Sequence, residues 1–142
     1  MPAGGKAPDF VLSDLRGGKV GLAGMRGRAV LLEFWATWCP PCRESIPEMN
    51  EMHAKFGPRG LEVVGVAVDR GSDAPAVVGS FARENRIAYL ALLDDGKTAE
   101  AYGVGSIPAI FLIDKEGKIV KRVNGFVPGM LGQLSQELEV LL

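Results

Sequence analysis

The chain has 142 residues, of which 47% are hydrophobic and 23% charged, and its 16 Lys and Arg side chains nearly balance its 17 Asp and Glu side chains. This length and composition predict one soluble globular domain with its own apolar core. The balance of charge argues against a general attraction to nucleic acid or to an anionic membrane, so no nucleic-acid partner is expected.

The sequence contains no apolar run that approaches the roughly 18 residues needed to span a bilayer. The longest candidate, "AVLLEFWA", is interrupted by Glu33. The first ten residues, "MPAGGKAPDF", lack the charged and apolar regions of a signal peptide. Two interpretations remain open: a cytoplasmic protein, or a mature or cloned domain from which a leader was removed.

The N-terminal third predicts a lead-in, a hairpin and a buried strand. Residues 1–9 are rich in Gly and Pro and are expected to be flexible, and residues 10–142 are expected to form the domain. The segment "FVLSDLRGGKVGL" predicts two short strands around a Gly-Gly turn. The nearly continuous apolar run of residues 29–36 is typical of a strand buried on both faces.

A helix is predicted from about Pro40 to the "GPRG" segment at 57–60. Pro40 and Pro41 are tolerated in its first turn, where their missing amides would have no partner. Pro47 lies inside the helix and is expected to kink it. The spacing of three and four residues predicts one apolar stripe, formed by Ile46, Met49, His53 and Phe56.

The rest of the chain alternates short strands and helices. In order, the predicted elements are a strand at 61–69, a helix at 72–86 capped by Ser72 or Asp73, a strand at 87–93, a helix at 95–104, a strand–turn–strand unit at 109–123 and an amphipathic helix at 129–142. The early strands alternate with helices and should be parallel, whereas the last two form an antiparallel hairpin. The predicted class is α/β, a mixed central sheet with helices on both faces.

The only two cysteines, Cys39 and Cys42, lie in "EFWATWCPPCRESIP". Cys39 follows a strand and begins a helix, where unpaired amides and the helix dipole favour a thiolate and lower the pKa of the thiol. Cys42 lies one turn further, close enough for a disulfide. Pro40 and Pro41 hold the intervening turn in one shape. The pattern predicts thiol–disulfide exchange: Cys39 attacks a partner disulfide, and Cys42 then displaces the partner.

Other chemistries were weighed for this pair. A purely structural disulfide would close a loop too short to stabilise the fold much. Structural zinc takes four Cys and His ligands, and the chain has two Cys and one His. A copper-handling or metallochaperone module using the two thiolates is the main alternative function. Peroxidase chemistry is disfavoured because a Pro-x-x-x-Thr-x-x-Cys pattern is missing: Leu32 and Ala36 occupy its first two positions.

These segments together resemble the thioredoxin superfamily, and within it the TlpA/ResA-type thiol-disulfide oxidoreductases. The resemblance is carried by "APDFVLSDLRGGKVGL", "VLLEFWATWCPPCRESIPE", "LEVVGVAVD" and "YGVGSIPAIFLID" followed by "EGKIV". It implies a thioredoxin-like fold with an N-terminal β-hairpin extension and a central β-α insertion. It also implies that Pro108 is cis and that the backbone of Ile107, facing the cysteines, binds the partner's chain in a β-like manner.

The resemblance implies a role for Glu33. Thioredoxins have an Asp at the matching strand position, beneath the second cysteine, where it handles the proton of that thiol. Glu33 is therefore expected to act as a base for Cys42, with a pKa raised towards neutrality by burial. Many TlpA/ResA-like proteins carry a Glu where Ser45 stands here, which suggests that the acid–base group has moved from the helix to the strand.

Five further side chains were assigned from the sequence. Trp38 is expected to shield Cys39 and to contact the partner, and Trp35 to belong to the core. His53 is expected at the boundary of the core and Asp69 to cap a turn. Tyr102 is expected to pack in the interior.

The resemblance also suggests a setting. The implied partners are protein thiols and disulfides, with a membrane electron donor, and the implied direction is reduction. The implied compartment is the periplasm or another extracytoplasmic space, and a monomer without a cofactor other than the Cys39–Cys42 disulfide is expected. Candidate substrates are an apocytochrome (in cytochrome c biogenesis), a copper-site protein or a general pool of misoxidised proteins.

Overall fold

A computed structural model of the chain describes residues 4–142, and within them seven strands form one mixed sheet in the order β2-β1-β5-β4-β3-β6-β7. The strands are β1 Val11–Asp14, β2 Lys19–Gly21, β3 Ala29–Trp35, β4 Leu61–Ala67, β5 Leu90–Leu93, β6 Ala109–Ile113 and β7 Ile119–Asn124. The helices are α1 Pro40–Phe56, α2 Ala74–Glu84, α3 Thr98–Ala101 and α4 Ser135–Leu141. This is the thioredoxin-like α/β arrangement that the sequence predicted.

Strand β3 lies at the centre of the sheet. It pairs in parallel with β4 and antiparallel with β6, so that Glu33 lies between Gly65 and Ile110. All seven of its residues are buried. A strand with neighbours on both edges and helices on both faces has no solvent-facing side, which explains its continuous apolar sequence.

Side chains alternate between the two faces of β3, and each face has its own core. Leu31 and Trp35 point to the face covered by α1, α2 and α4. Leu32 and Phe34 point to the opposite face, which packs against the N-terminal segment, a 3₁₀ turn at Leu22–Met25 and Tyr102 after α3. Helices therefore cover both faces, and Glu33 belongs to the α1 face.

The N-terminal extension is a hairpin that joins the sheet through β5. Strand β1 pairs antiparallel with β2 and with β5. The central insertion is β4 with α2, which lies between α1 and β5 in the chain. Both features of the predicted thioredoxin-like architecture are present.

The predicted lead-in at residues 1–9 falls partly on residues 1–3, which lie outside the described residues. Beyond them, the Ala7 amide donates to the Gly117 carbonyl at 2.8 Å and the Ile119 amide donates to Gly5 at 2.8 Å. Ala7 is buried. These bonds tie the described part of the lead-in to the start of β7, whereas the sequence suggested a flexible segment there.

The helices differ in detail from their predicted forms. On α1, Met52 is buried and His53 is half-buried at its edge, so the predicted stripe was wrong at that position. Asp73 precedes α2, but its side chain makes no capping hydrogen bond to any described residue. The terminal helix covers only 135–141 and follows a 3₁₀ turn at Gly132–Leu134. None of the helices within residues 4–142 combines the length and apolar character needed to cross a membrane.

Candidate redox site

Cys39 and Cys42 form a disulfide where β3 meets α1, with their Cα atoms 5.3 Å apart. Cys39 is the residue before the helix, and Pro40 and Pro41 occupy its first two positions. Because proline has no amide hydrogen, Cys42 has the only free amide donor among the first three helical positions. Both cysteines are buried, while Pro40 and Pro41 are exposed. The structure therefore places the sulfurs just beneath the surface at the positive end of a helix.

The loop before β6 covers this disulfide. The Ile107–Pro108 peptide bond is cis, and the Ile107 carbonyl oxygen lies 3.9 Å from Cys39 Sγ. A disulfide sulfur has no hydrogen to donate, so in this oxidised state the approach is a contact and not a hydrogen bond. The Gly125 amide donates to the Pro108 carbonyl at 2.7 Å and fixes the loop to the end of β7. The predicted proximity of Ile107 to Cys39 is present.

Two tryptophans flank the site and differ in exposure. Trp38 is 68% exposed beside Cys39, whereas Trp35 is buried and packs against Phe81 with ring centroids 5.4 Å apart. The sequence assigned Trp35 to the core, and the structure agrees. An exposed aromatic next to a reactive sulfur offers apolar contact area to an incoming chain.

Asp69, at the end of β4, fixes the loop that carries Trp38 and Cys39. Its carboxylate accepts a hydrogen bond from the Thr37 amide at 3.1 Å and a second from the Thr37 hydroxyl at 2.6 Å. Asp69 therefore caps a turn, as the sequence suggested. The turn it caps is the one that leads into the nucleophile, and Thr37 as its partner was missed.

Glu33 is 1% exposed and lies on the α1 face of the sheet. Burial raises the pKa of its carboxyl to about 8, although a hydrogen bond from Ser45 opposes the rise. Desolvation exceeds the hydrogen-bond effect because an ionised carboxylate loses its water on burial and gains only one donor. The pKa of Glu33 therefore lies close to neutrality.

Ser45 connects Glu33 to the second cysteine. Its hydroxyl lies 2.7 Å from Glu33 Oε2 and 2.8 Å from the Cys42 carbonyl oxygen. Sequence reasoning placed Ser45 where related proteins have Glu but gave it no role. A polar residue on the buried face of α1, opposite a buried carboxylate, was the signal that could have identified it.

A resident metal was not expected from the sequence. Among residues 4–142, the structure brings together no group of three or more His, Cys, Asp and Glu side chains that could hold a metal ion.

Comparison with known proteins gives a family match. Residues 3–122 match the model of the AhpC/TSA family. The ResA thiol-disulfide oxidoreductase of Bacillus thuringiensis strain Al Hakam is 38% identical over 126 residues, which cover 88% of this chain and 71% of the relative.

Solved structures give the same picture. A crystal structure described as the thiol:disulfide interchange protein DsbE from Chlorobium tepidum superposes with a TM-score of 0.90 at 37% identity, covering 99% of this chain and 98% of that one. The pneumococcal exposed lipoprotein thioredoxin from Streptococcus pneumoniae superposes with a TM-score of 0.80 at 33% identity, covering 94% and 100%.

Proposed function

Because this chain belongs to the AhpC/TSA family and to its ResA-like thiol-disulfide oxidoreductases, we propose that it exchanges disulfides with protein substrates through Cys39 as nucleophile and Cys42 as resolving thiol. Protein disulfide oxidoreductase activity follows from the family. The assignment of roles rests on one observation: Cys39 begins α1 beside the loop of Ile107, while Cys42 lies one turn deeper and is completely buried. An incoming chain reaches Cys39 first.

The reaction proceeds in two displacements. The Cys39 thiolate attacks one sulfur of the partner disulfide, and the other partner sulfur leaves as a thiolate and takes a proton from solvent. Cys42 then loses its proton and attacks Cys39 Sγ, which breaks the mixed disulfide and releases the second partner thiol. Two electrons pass to the partner, and the Cys39–Cys42 disulfide of the present structure remains.

Glu33 is the proposed acceptor of the Cys42 proton. A pKa of about 8 makes it a base matched to a thiol near neutral pH. The shared contact with Ser45 supports this role because it brings the carboxylate and the first turn of α1 to the same hydroxyl. Glu33 is thus a catalytic residue of the second displacement only.

The proposed substrate surface surrounds Cys39. Trp38, Pro40 and Pro41 are exposed and supply apolar contact area, and half-buried Ile107 supplies backbone groups for β-like pairing. Pro108 is buried, so its contribution is to shape this loop. Backbone pairing makes little demand on the partner's sequence, which suits an enzyme that acts on several proteins.

The proposed setting is reduction of protein disulfides outside the cytoplasm by a monomer that receives electrons from a membrane donor. The similarity to a protein described as an exposed lipoprotein thioredoxin supports the compartment. An apocytochrome remains one predicted substrate beside copper-site proteins and misoxidised proteins. The direction depends on the reduction potential of the Cys39–Cys42 couple, which a redox titration against glutathione measures.

Two cysteine variants test the exchange roles. We expect Cys39→Ser to lose reduction of a disulfide substrate, and Cys42→Ser to accumulate a mixed disulfide that mass spectrometry detects under non-reducing conditions. Full turnover by Cys39→Ser would refute the assignment. Metal analysis after purification under reducing conditions separates the copper-handling alternative, which predicts Cu(I) bound to both thiolates.

A further inference from the structure

Two buried hydrogen-bond donors on the α1 face have no protein partner. Among residues 4–142, neither Trp35 Nε1 nor the Tyr89 hydroxyl makes a hydrogen bond. Their side chains are only 1% and 5% exposed. Buried donors are nearly always satisfied by protein or by ordered water, so this pair requires an acceptor.

Both donors lie around Gly65, the β4 neighbour of Glu33. A Cβ atom built on Gly65 would lie 2.9 Å from Trp35 Nε1 and 3.2 Å from Tyr89 Cε2. Paired residues of adjacent strands point to the same face, so Gly65 faces the same interior as Glu33. The missing side chain therefore leaves room between the indole, the phenol and the carboxylate.

The carboxylate of Glu33 can accept more hydrogen bonds than it receives. Ser45 donates to Oε2, and no other side chain or backbone group in the described part of the chain donates to Glu33. An ionised carboxylate has about four acceptor sites. Glu33 is also close enough to Tyr89 that its charge adds to the rise that burial causes in the pKa of that phenol. One side of this cluster lacks an acceptor, and the other lacks a donor.

We propose that Glu33, Trp35 and Tyr89 together bind one internal water molecule in the space beside Gly65. The water accepts from the Trp35 indole N–H and the Tyr89 hydroxyl and donates to Glu33 Oε1, which gives it three polar partners, the usual number for a buried water. Trp35 and Tyr89 thereby become positioning residues that act on Glu33 through the water.

This water has a consequence for exchange, which rests on the proposed role of Glu33. A donor to the carboxylate stabilises its ionised form and lowers its pKa. The bound water therefore keeps Glu33 available as a base at a pH where burial alone would hold it protonated.

The titration of Glu33 depends on few other groups. From α1 it faces the thiol of Cys42, and from the segment before β5 it faces Tyr89. The neighbouring strands contribute Gly65 and Ile110, which do not titrate, and the side chains that α2 and α4 bury on this face are apolar.

The decisive test is Tyr89→Phe in the oxidised protein, with Glu33 followed by carbon-13 NMR during a pH titration. We expect the midpoint of Glu33 to rise by about one unit, a tenfold change in proton affinity, and the unfolding midpoint in urea to fall. If the hydroxyl instead has no partner, its removal leaves the titration unchanged and the protein equally or more stable, and the proposal is overturned. Tyr102→Phe is the matched control, since that hydroxyl donates to Pro8 on the other face.

A direct measurement completes the test. We expect a long-lived water to show a nuclear Overhauser effect to the Trp35 indole hydrogen, and Gly65→Ala to remove it by filling the space. An indole hydrogen without a water contact in the unmodified protein would sink the proposal even if Gly65→Ala fails to fold. All readouts use the oxidised protein, where no exchange takes place, so their failure leaves the roles of Cys39 and Cys42 untouched.

Discussion

The hydroxyl of Ser45 on α1 lies within hydrogen-bond distance of two acceptors, Glu33 Oε2 at 2.7 Å and the Cys42 carbonyl oxygen at 2.8 Å. One hydroxyl has one hydrogen and serves one of them at a time. The bond to an ionised Glu33 is charge-assisted and is the stronger of the two. When Glu33 is protonated, its own hydrogen can bind Ser45 Oγ, and the hydroxyl hydrogen turns to Cys42. The protonation state of Glu33 is therefore coupled to the first turn of α1.

Replacing Ser45 with Ala should raise the pKa of Glu33 further, because the variant removes the donor that stabilises the carboxylate. A hydrogen bond to a charged group contributes about 1.5–3 kcal/mol, which corresponds to a rise of about one to two pH units. The pH at which Cys42 resolves a mixed disulfide should move upward by a similar amount, as measured by rapid mixing with a preformed mixed disulfide.

The control for this prediction is the same substitution in a Glu33→Gln background. With no carboxyl to titrate, Ser45→Ala should leave the pH profile of the second step unchanged. A shift of equal size in both backgrounds would show that Ser45 acts on the helix or on Cys42 and not through Glu33.

The stability of the oxidised protein should fall as the pH rises from about 4.5 to about 8. In the unfolded chain Glu33 ionises near 4.5, and in the folded protein near 8, so between these values only the folded state holds the proton. Stability then decreases by about 1.4 kcal/mol per pH unit from this group. Its contribution is fully present below pH 4.5 and lost above pH 8.

Urea unfolding at several pH values measures this slope. Glu33→Gln should remove it, so that the variant becomes more stable than the unmodified protein towards pH 8. The matched control is Glu51→Gln on the exposed side of α1, which should keep the full slope. Parallel curves for the unmodified protein and Glu33→Gln would mean that Glu33 is ionised in the fold at neutral pH.

The sequence was a good guide to the central sheet. Residues 29–36 were predicted as a doubly buried strand, and β3 is buried along its whole length. The stripe on α1 was less well predicted, because only apolar residues and His53 were counted. Its buried positions follow a spacing of three and four that includes two polar or thiol side chains: Cys42, Ser45, Met49, Met52 and Phe56.

The site was only partly readable from the sequence, for a physical reason. Cys39 and Cys42 are close along the chain, so a local spacing rule predicts their disulfide. Ser45 acts on a residue of another element, and Thr37 and Asp69 meet from the ends of two parallel strands. Such pairs depend on strand register, which no short segment of the sequence specifies.

Replacing Asp69 with Ala should loosen the turn that leads to Cys39. The variant loses acceptors for the amide and the hydroxyl of Thr37, at a cost of about 1–3 kcal/mol in unfolding free energy. Because this turn positions Cys39 against the helix end, we also expect slower alkylation of Cys39 by iodoacetamide in the reduced protein. Asp69→Asn keeps one oxygen acceptor and should be intermediate, and Asp73→Ala serves as the nearby control. A stability loss with an unchanged alkylation rate would limit Asp69 to a structural role.

Glu48 connects α1 to the chain that enters α4, and its removal should weaken that connection. Its carboxylate accepts hydrogen bonds from the amides of Gly129 at 2.7 Å and Leu131 at 3.1 Å. Glu48→Ala leaves the amide of buried Leu131 without its acceptor, so we expect a loss of about 2 kcal/mol or more in unfolding free energy and faster hydrogen exchange at that amide. Glu51→Ala, one turn along the same helix but exposed, should change neither. Equal losses in the two variants would show that helix propensity, and not the carboxylate at Gly129 and Leu131, accounts for the effect.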